Sequence, residues 1–211
     1  MLKAIIFDFD GVILDTEMDR FLFIQNELSK HGYILSESEF QNSCGKKISE
    51  FLTEKYPDIK EDAVKDIIAN RRKNIKENLR NLSLIPGIVE LVKFLSNKYS
   101  LAITTGSQRV VVEETIRYHN MADCFSLIVS GDEINSSKPN PEGYIHTINK
   151  LSMNPEEVII IEDAEAGIIA GHKAGCKVYA IKNEYNPSHI SDADRIFRNH
   201  KELLKYFKSI N

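Results

Sequence analysis

Short apolar runs rich in β-branched residues alternate along this chain with stretches of helical periodicity. Each run has apolar residues at successive positions, as expected of a strand that is covered on both faces. Strands that alternate with helices are typical of a parallel sheet with crossover helices. The sequence therefore predicts an α/β fold with a Rossmann-like, doubly wound parallel sheet. We predict its strands over residues 3–9, 100–105, 126–130, 158–162 and 177–181, with a short edge strand over 194–197.

The interval between the first two predicted strands breaks this alternation. From about Asp15 to Ser83 the apolar residues follow a helical period and no strand is evident. This stretch is too long for an ordinary crossover, so we predict a discontinuous catalytic core, residues 1–14 and 84–211, around an inserted all-helical cap domain, residues 15–83. An insert that leaves the end of the first strand would cover the edge where doubly wound sheets bind ligands, so we expect it to act as a lid. In the core we predict helices over 88–97, 109–119, 141–151, 164–174 and 201–208.

Composition narrows the class of protein. The chain has 211 residues, of which 42% are hydrophobic and 27% charged, and a net charge of −4. The acidic balance argues against nucleic-acid binding as the main function, and we expect the short basic triplet Arg71–Lys73 on a solvated helix face. No apolar run is long enough to span a membrane and no cleavable signal precedes the first strand. We therefore expect a cytoplasmic protein, monomeric or alternatively dimeric.

Cysteine and histidine spacing excludes two other kinds of site. Cys44, Cys124 and Cys176 are far apart and never form a CxxC pattern, so we expect reduced, buried thiols. The six histidines have neither HxxxH nor HxH spacing, so packing or surface roles are expected for them. Neither a disulfide framework nor a zinc site is predicted.

Two carboxylates end the first predicted strand. Asp8 and Asp10 are separated by one aromatic residue, and residues i and i+2 of an extended chain point to the same side. Two neighbouring anions are tolerable if a cation lies between them, if one is protonated, or if each has a different chemical task. Gly11 follows at once and permits a turn with a close backbone approach. This pattern indicates a functional site, with a solvated turn as the alternative.

Other predicted strands and loops also end in polar residues. The second strand ends at Thr105 and Gly106 follows it, with Thr104 as the alternative hydroxyl. Lys138 is followed by a proline at the start of a helix. Glu162 and Asp163 end the fourth strand and could also cap the next helix. Oxygen ligands without sulfur favour Mg²⁺ as the metal.

Two further groups of residues carry structural expectations. We expect Asp132 and Glu133 to be solvated, the alternative being that they steer Lys138. The small residues in 167–175 predict a helix that packs closely on the sheet and ends at Gly175.

Four sequence motifs together resemble those of the haloacid dehalogenase superfamily. They are the stretch Asp8–Glu17 (DFDGVILDTE), Thr105, Lys138–Pro141 (KPNP) and the pair Glu162–Asp163, and they occur in the family's order across nearly the whole chain. All four in order carry far more weight than a single DxD. The helical insert after the first motif resembles the subgroup of phosphoglycolate phosphatases, sugar-phosphate phosphatases and β-phosphoglucomutases.

The resemblance implies a phosphoryl transfer through an aspartyl phosphate. It implies that Asp8 is the nucleophile and that Asp10 protonates the leaving oxygen and then activates water. It also implies that Asp8, the backbone carbonyl of Asp10 and Asp163 bind Mg²⁺, with Glu162 as a direct or outer ligand. Phosphoryl oxygens would be held by Thr105, Lys138 and backbone donors of Gly106 and Ser107.

The resemblance also narrows the substrate. Dehalogenases and phosphonatases of this group lack an acid at the position of Asp10, so a small phosphorylated metabolite is the expected substrate. The alternatives are a β-phosphoglucomutase-like mutase and a non-catalytic phosphate-ligand-binding regulatory protein. Arg20 and Ile48 stand where the mutase has histidine and arginine, whereas Lys73 resembles one of its cap residues.

In the cap, Lys46, Lys47 and Lys73 are candidate substrate contacts, and solvated side chains are the alternative for each.

Overall fold

The computed structural model describes residues 1–41, 48–78, 83–183 and 190–210. The chain divides into two compact units, Met1–Asp15 with Ser83–Asn211, and Thr16–Leu82. The second unit interrupts the first in sequence. Its predicted role as a cap stays a prediction.

The first unit is built on a parallel sheet. The described strands are β1 (Ala4–Phe7), β2 (Leu14–Asp15), β3 (Ser83–Leu84), β4 (Ser100–Thr104), β5 (Leu127–Val129), β6 (Val158–Glu162), β7 (Lys177–Ile181) and β8 (Arg195–Phe197). Six of them form the sheet in the order β5-β4-β1-β6-β7-β8, and every neighbouring pair is parallel. All six strands predicted from the sequence are present; β6 and β7 have the predicted bounds and the others are shorter.

The three central strands share one register. Phe7, the last residue of β1, pairs with Ile103 of β4 on one side and with Ile161 of β6 on the other. All four residues of β1 are fully buried, as a central strand with helices on both faces requires. The carboxyl ends of these strands therefore lie at the same level of the sheet, and the residues that follow them are brought together.

Helices account for most of the remaining described chain. In the first unit each observed α-helix lies within two residues of its predicted bounds. In the second unit the described elements are all helical, as predicted. The helices are α1 (Glu17–Lys30), α2 (Glu37–Gln41), α3 (Ile48–Lys55), α4 (Glu61–Asn78), α5 (Ile88–Ser96), α6 (Arg109–Tyr118), α7 (Glu142–Leu151), α8 (Glu165–Lys173) and α9 (His200–Ser209).

Close packing of α8 on the sheet confirms the small-residue prediction. A Cβ added at Gly171 would lie 2.5 Å from Cγ2 of Val178 and 3.1 Å from Cδ1 of Ile160, so a larger residue would push the helix outward. Gly175 follows the helix with a φ of +85°, the left-handed conformation that favours glycine at a helix end.

A two-stranded antiparallel pair at the boundary of the first unit was not predicted. Leu14 of β2 pairs with Leu84 of β3, and Asp15 pairs with Ser83. The expectation that no strand occurs between residues 15 and 83 is therefore wrong at its two ends. Two-residue strands are too short to show a period in the sequence, so this pair left no signal there.

Arg71 corrects the expectation of a solvated basic triplet. Its side chain is buried in the second unit, where it bonds to Asp19 and Asn74 and lies 5.4 Å from the centroid of the Phe23 ring. Arg71 follows the buried Ile67 by four residues and so shares its inward face of α4. Lys73, on the same helix, is exposed as expected.

The two cysteines that the structure describes, Cys124 and Cys176, are free thiols. Burial raises the pKa of Cys176 to about 12. Cys44 lies outside the described residues.

Among the residues described, no helix combines the length and the apolar character that crossing a bilayer demands.

Candidate active site

Asp8 lies one residue beyond the end of β1 and is anchored by the sheet. Its N–H donates a 2.9 Å hydrogen bond to the carbonyl of Ile161, and its side chain is buried. Phe9 is fully buried and Asp10 is half-buried.

Gly11 allows the chain to turn closely beside a third carboxylate. Its N–H donates a 2.8 Å hydrogen bond to the carbonyl of Leu14, and its φ is +80°. A Cβ at this position would overlap with the carboxylate of Asp163. Glycine is therefore required here both for its backbone conformation and for lack of space.

Lys138 joins two acids from different strand ends. Its Nζ bonds to Oδ1 of Asp8 and, at 2.6 Å, to Oε1 of Glu162. The peptide bond between Lys138 and Pro139 is cis. The ammonium group offsets part of the repulsion between carboxylates that the sheet brings together.

Glu162 accepts hydrogen bonds on both of its carboxylate oxygens. In addition to Lys138, the hydroxyl of Tyr144 donates to Oε1 at 2.6 Å. Oε2 accepts from the backbone N–H groups of Asp163 at 2.9 Å and Ala164 at 3.2 Å, in the two residues that precede α8. A Cβ at Gly167 would overlap with this carboxylate. This glycine of α8 therefore makes room for the Glu162 side chain, whereas Gly171 makes room for the sheet.

Three of these acids form a set that can hold a metal ion. Asp8, Glu162 and Asp163 each offer a carboxylate oxygen, and these oxygens all lie within 4.8 Å of one another. Oδ2 of Asp163 also accepts a 2.9 Å hydrogen bond from Nδ2 of Asn183. A compact set of hard oxygen donors fits Mg²⁺, which prefers carboxylates to nitrogen and sulfur.

The charges of the cluster are strongly coupled. Burial raises the pKa of Asp8 above its usual range, and the carboxylates of Glu162 and Asp10 act in the same direction, while Lys138 opposes them. Burial alone would lower the pKa of Lys138, but its ion pairs with Asp8 and Glu162 outweigh that effect and raise it. A divalent cation between the acids would favour the ionised form of each.

Thr105 lies beside Asp10 at the end of β4. Its Oγ1 is 3.4 Å from Oδ2 of Asp10 and accepts a 3.0 Å hydrogen bond from the N–H of Ser107. The hydroxyl of Thr104 is instead buried and bonds to Thr147 at 2.6 Å. Of the two candidate hydroxyls, Thr105 is therefore the one near the carboxylates. Gly106 is exposed, and no atom among the described residues lies within 4 Å of where its Cβ would be.

Asp132 is exposed, as expected, whereas Glu133 is half-buried and paired, so the expectation of a solvated side chain is wrong for Glu133. Asp132 accepts a 2.8 Å hydrogen bond from the N–H of Arg109 at the start of α6. Glu133 pairs with the side chains of Arg109 and Lys150. Burial works against ionisation of Glu133, but its hydrogen bonds outweigh that and lower its pKa to about 2. These pairings join loops and helices that are distant in sequence, which a local pattern does not reveal.

The candidate substrate contacts of the second unit remain predictions. Lys46 and Lys47 lie outside the described residues. Lys73 is exposed on α4.

Sequence reasoning missed three residues of the site. They are Tyr144, the hydroxyl of Ser107 and Asn183, which contact Glu162, Asp10 and Asp163 respectively. Tyr144 had a weak signal, because it is the aromatic residue three positions after the KPNP stretch and so one turn into the helix that this stretch begins. Asn183 follows β7 at the same sheet edge, where polar residues merit attention.

Comparison with known proteins agrees with this geometry. A family model for haloacid dehalogenase-like hydrolases matches residues 5–181. The chain is 28% identical over 193 residues to a phosphorylated carbohydrates phosphatase of Thermotoga maritima, covering 88% of both proteins. It is 26% identical to a phosphoglycolate phosphatase of Haemophilus influenzae over 96% of each. A β-phosphoglucomutase structure from Clostridium difficile shares the fold, with a TM-score of 0.77, 23% identity and coverage of 99% of this chain and 96% of that one. The chain thus belongs to the haloacid dehalogenase-like hydrolase family, as its four motifs predicted.

Proposed function

We propose that this protein is a Mg²⁺-dependent phosphatase that hydrolyses small phosphorylated metabolites through an aspartyl phosphate on Asp8. The observation that carries the proposal is the convergence on one buried carboxylate of a lysine and two further acids. Nζ of Lys138 bonds to Asp8, and oxygens of Glu162 and Asp163 lie within 4.8 Å of the Asp8 carboxylate oxygen. This is the charge arrangement that an anionic nucleophile needs in order to approach a phosphate dianion.

Two acids divide the work in this mechanism. An oxygen of Asp8 attacks phosphorus, and the ester P–O bond breaks as the Asp8 O–P bond forms. Asp10 gives its proton to the leaving oxygen and then takes one from the water that attacks the aspartyl phosphate. Inorganic phosphate leaves and the Asp8 carboxylate is restored. Lys138, the hydroxyl of Thr105 and the backbone N–H of Gly106 hold the phosphoryl oxygens.

Two of the three clustered acids, Asp8 and Asp163, fit the metal that this reaction requires. Asp8, Asp163 and the backbone carbonyl of Asp10 would hold Mg²⁺, which when bound offsets the negative charge shared by the nucleophile and the phosphoryl group. We assign Glu162 a different task. Its two oxygens already accept four hydrogen bonds, which suits a residue that positions Lys138 and the backbone of Asp163 beside the metal.

A panel of phosphate esters tests the proposal. Purified protein is assayed for release of inorganic phosphate from sugar phosphates, phosphoglycolate and 4-nitrophenyl phosphate, with and without Mg²⁺. Asp8→Asn should lower turnover at least about 1000-fold with the fold intact, while the matched change of an exposed acid, Asp123→Asn, should not. Release from no ester of the panel, or unchanged turnover by Asp8→Asn, would overturn the proposal.

The same assay separates the two alternatives. A mutase should isomerise glucose 1-phosphate when a hexose bisphosphate primer is added, faster than it releases phosphate. A non-catalytic regulatory protein should bind phosphate esters without turnover. Such a protein has no need of the complete set Asp8, Asp10, Lys138 and Asp163, all of which are present here.

A further inference from the structure

The side chain of Ser107 contacts the second aspartate of the site. Its Oγ lies 2.6 Å from Oδ2 of Asp10, the shorter of two hydroxyl contacts to that oxygen. The other comes from Thr105 at 3.4 Å. The backbone N–H of Ser107 in turn donates to Oγ1 of Thr105 at 3.0 Å. One residue thus fixes both the carboxylate and the neighbouring hydroxyl.

The contacts to Asp10 are one-sided. Across the described ranges 1–41, 48–78, 83–183 and 190–210, both side-chain hydrogen bonds to Asp10 end on Oδ2. A carboxyl group that moves a proton uses one oxygen for the proton, and the other oxygen can serve as its anchor. The arrangement leaves Oδ1 for proton transfer and uses Oδ2 as the anchor.

The backbone holds Ser107 in place independently of its hydroxyl. The N–H of Gly131 donates a 2.9 Å hydrogen bond to the carbonyl of Ser107. A Cβ at Gly131 would overlap with the carbonyl of Gly106, so the loops after β4 and β5 are packed backbone to backbone. Removal of the Ser107 hydroxyl therefore leaves this loop braced.

We propose that Ser107 is a positioning residue that holds Oδ2 of Asp10 and so directs Oδ1 toward the leaving oxygen of the substrate. This role rests on the proposed function. During the first step the ester P–O bond breaks, the bond from Asp8 to phosphorus forms, and the proton on Oδ1 of Asp10 goes to the leaving oxygen. Without the Ser107 hydroxyl the Asp10 carboxyl group rotates more freely. A smaller fraction of bound substrate then has its leaving oxygen within hydrogen-bond distance of the Asp10 proton.

Dependence on the leaving group tests this role. An alkoxide needs a proton as it leaves, whereas 4-nitrophenolate leaves without one, so a defect in Asp10 positioning should affect the two kinds of ester unequally. We compare kcat/KM for glycerol phosphate and for 4-nitrophenyl phosphate in the wild type, Ser107→Ala, Ser107→Thr and Asp10→Asn. For Ser107→Ala the alkyl-to-aryl ratio of kcat/KM should fall about tenfold. Ser107→Thr, which keeps a hydroxyl, should restore the ratio to within about twofold, and Asp10→Asn should lower it further than Ser107→Ala does.

Three outcomes would overturn the role. Equal losses for both esters would assign Ser107 to phosphate binding or to folding. An unchanged ratio in Ser107→Ala would show that the hydroxyl has no effect on proton transfer. Turnover of neither ester by the wild type would overturn the proposed function itself, and this role with it, so the two failures are told apart by the wild-type rates.

Discussion

The hydroxyl of Tyr144 lies 2.6 Å from Oε1 of Glu162, the same oxygen that accepts a hydrogen bond from Nζ of Lys138. The ammonium of Lys138 also lies 4.9 Å from the centroid of the Tyr144 ring. A single side chain of α7 therefore contacts both members of this ion pair, one through its hydroxyl and the other through its ring face. The position of the lysine that faces Asp8 depends on this contact.

We expect Tyr144→Phe to weaken both the fold and the reaction. The variant keeps the ring but leaves a buried carboxylate oxygen with one donor fewer, which should lower the free energy of unfolding by about 1–3 kcal/mol. Less restraint on Lys138 should lower kcat for phosphate release about tenfold. Urea unfolding and steady-state kinetics measure the two effects. Tyr118→Phe, at an exposed position, is the control, and an unfolding free energy equal to that of the wild type would contradict this prediction.

Gly11→Ala should weaken Mg²⁺ binding in addition to destabilising the fold through backbone strain. A left-handed φ costs a residue with a Cβ roughly 1–2 kcal/mol, and here the new methyl group would also overlap with Asp163. The matched control is Gly32→Ala, because Gly32 has a φ of +82° but no described atom within 4 Å of its Cβ position. Both variants should lose stability. Only Gly11→Ala should raise the Mg²⁺ concentration for half-maximal phosphate release, by about tenfold, and an equal rise in both variants would argue against the overlap as the cause.

Removal of the metal should abolish turnover, and its return should raise stability. With chelator present we expect no phosphate release, because the repulsion between nucleophile and phosphate is then not offset. Added Mg²⁺ at about 100 times its Kd should raise the free energy of unfolding by about 2.7 kcal/mol. Asp163→Asn should lose most of this gain, whereas Asp192→Asn, at an exposed acid, should keep it. Full activity in chelator would contradict the assignment of Asp8 and Asp163 as metal ligands.

Stability should fall in mild acid because of His200. In the part of the chain that the structure describes, neither ring nitrogen of this fully buried histidine has a hydrogen-bond partner of good geometry. Burial lowers its pKa from 6.5 to about 4, against an opposing effect of the Val12 backbone. Between these two pH values the unfolded chain binds the extra proton, so the free energy of unfolding should decrease by about 3 kcal/mol as the pH falls from 6.5 to 4.

A non-titrating variant isolates this contribution from that of the carboxylates. The pH dependence of unfolding is measured by urea titration from pH 7 to pH 4 for the wild type, His200→Gln and the exposed-site control His31→Gln. His200→Gln should show a shallower decline than the other two. Parallel curves for all three proteins would exclude His200 as the source.

The sheet and the central acids could be predicted from the sequence for one physical reason. Strands buried on both faces must be apolar at successive positions, which makes them conspicuous, and the common register of parallel strands then brings the residues after them together. The convergence of Asp8, Glu162 and Asp163 follows from this rule once each strand end is located.

Other features depend on contacts between elements that are distant in sequence. Arg71 is buried because α4 packs on α1, and Asp19 of α1 accepts its hydrogen bond. Glu133 is paired because Arg109 and Lys150 reach its loop from two different helices. A period of 3.6 residues identifies the face of a helix but not the partner on the other side of it.

The attachment of Asp8 to the sheet has a consequence for hydrogen exchange. Its N–H donates to the carbonyl of Ile161, which continues the ladder between the two innermost strands past the end of β1. We therefore expect that amide to exchange with solvent when the two innermost strands separate, in global opening and not in local fraying. The nucleophile therefore takes part in the most cooperative region of the molecule, and catalytic competence and the native sheet should disappear in a single transition.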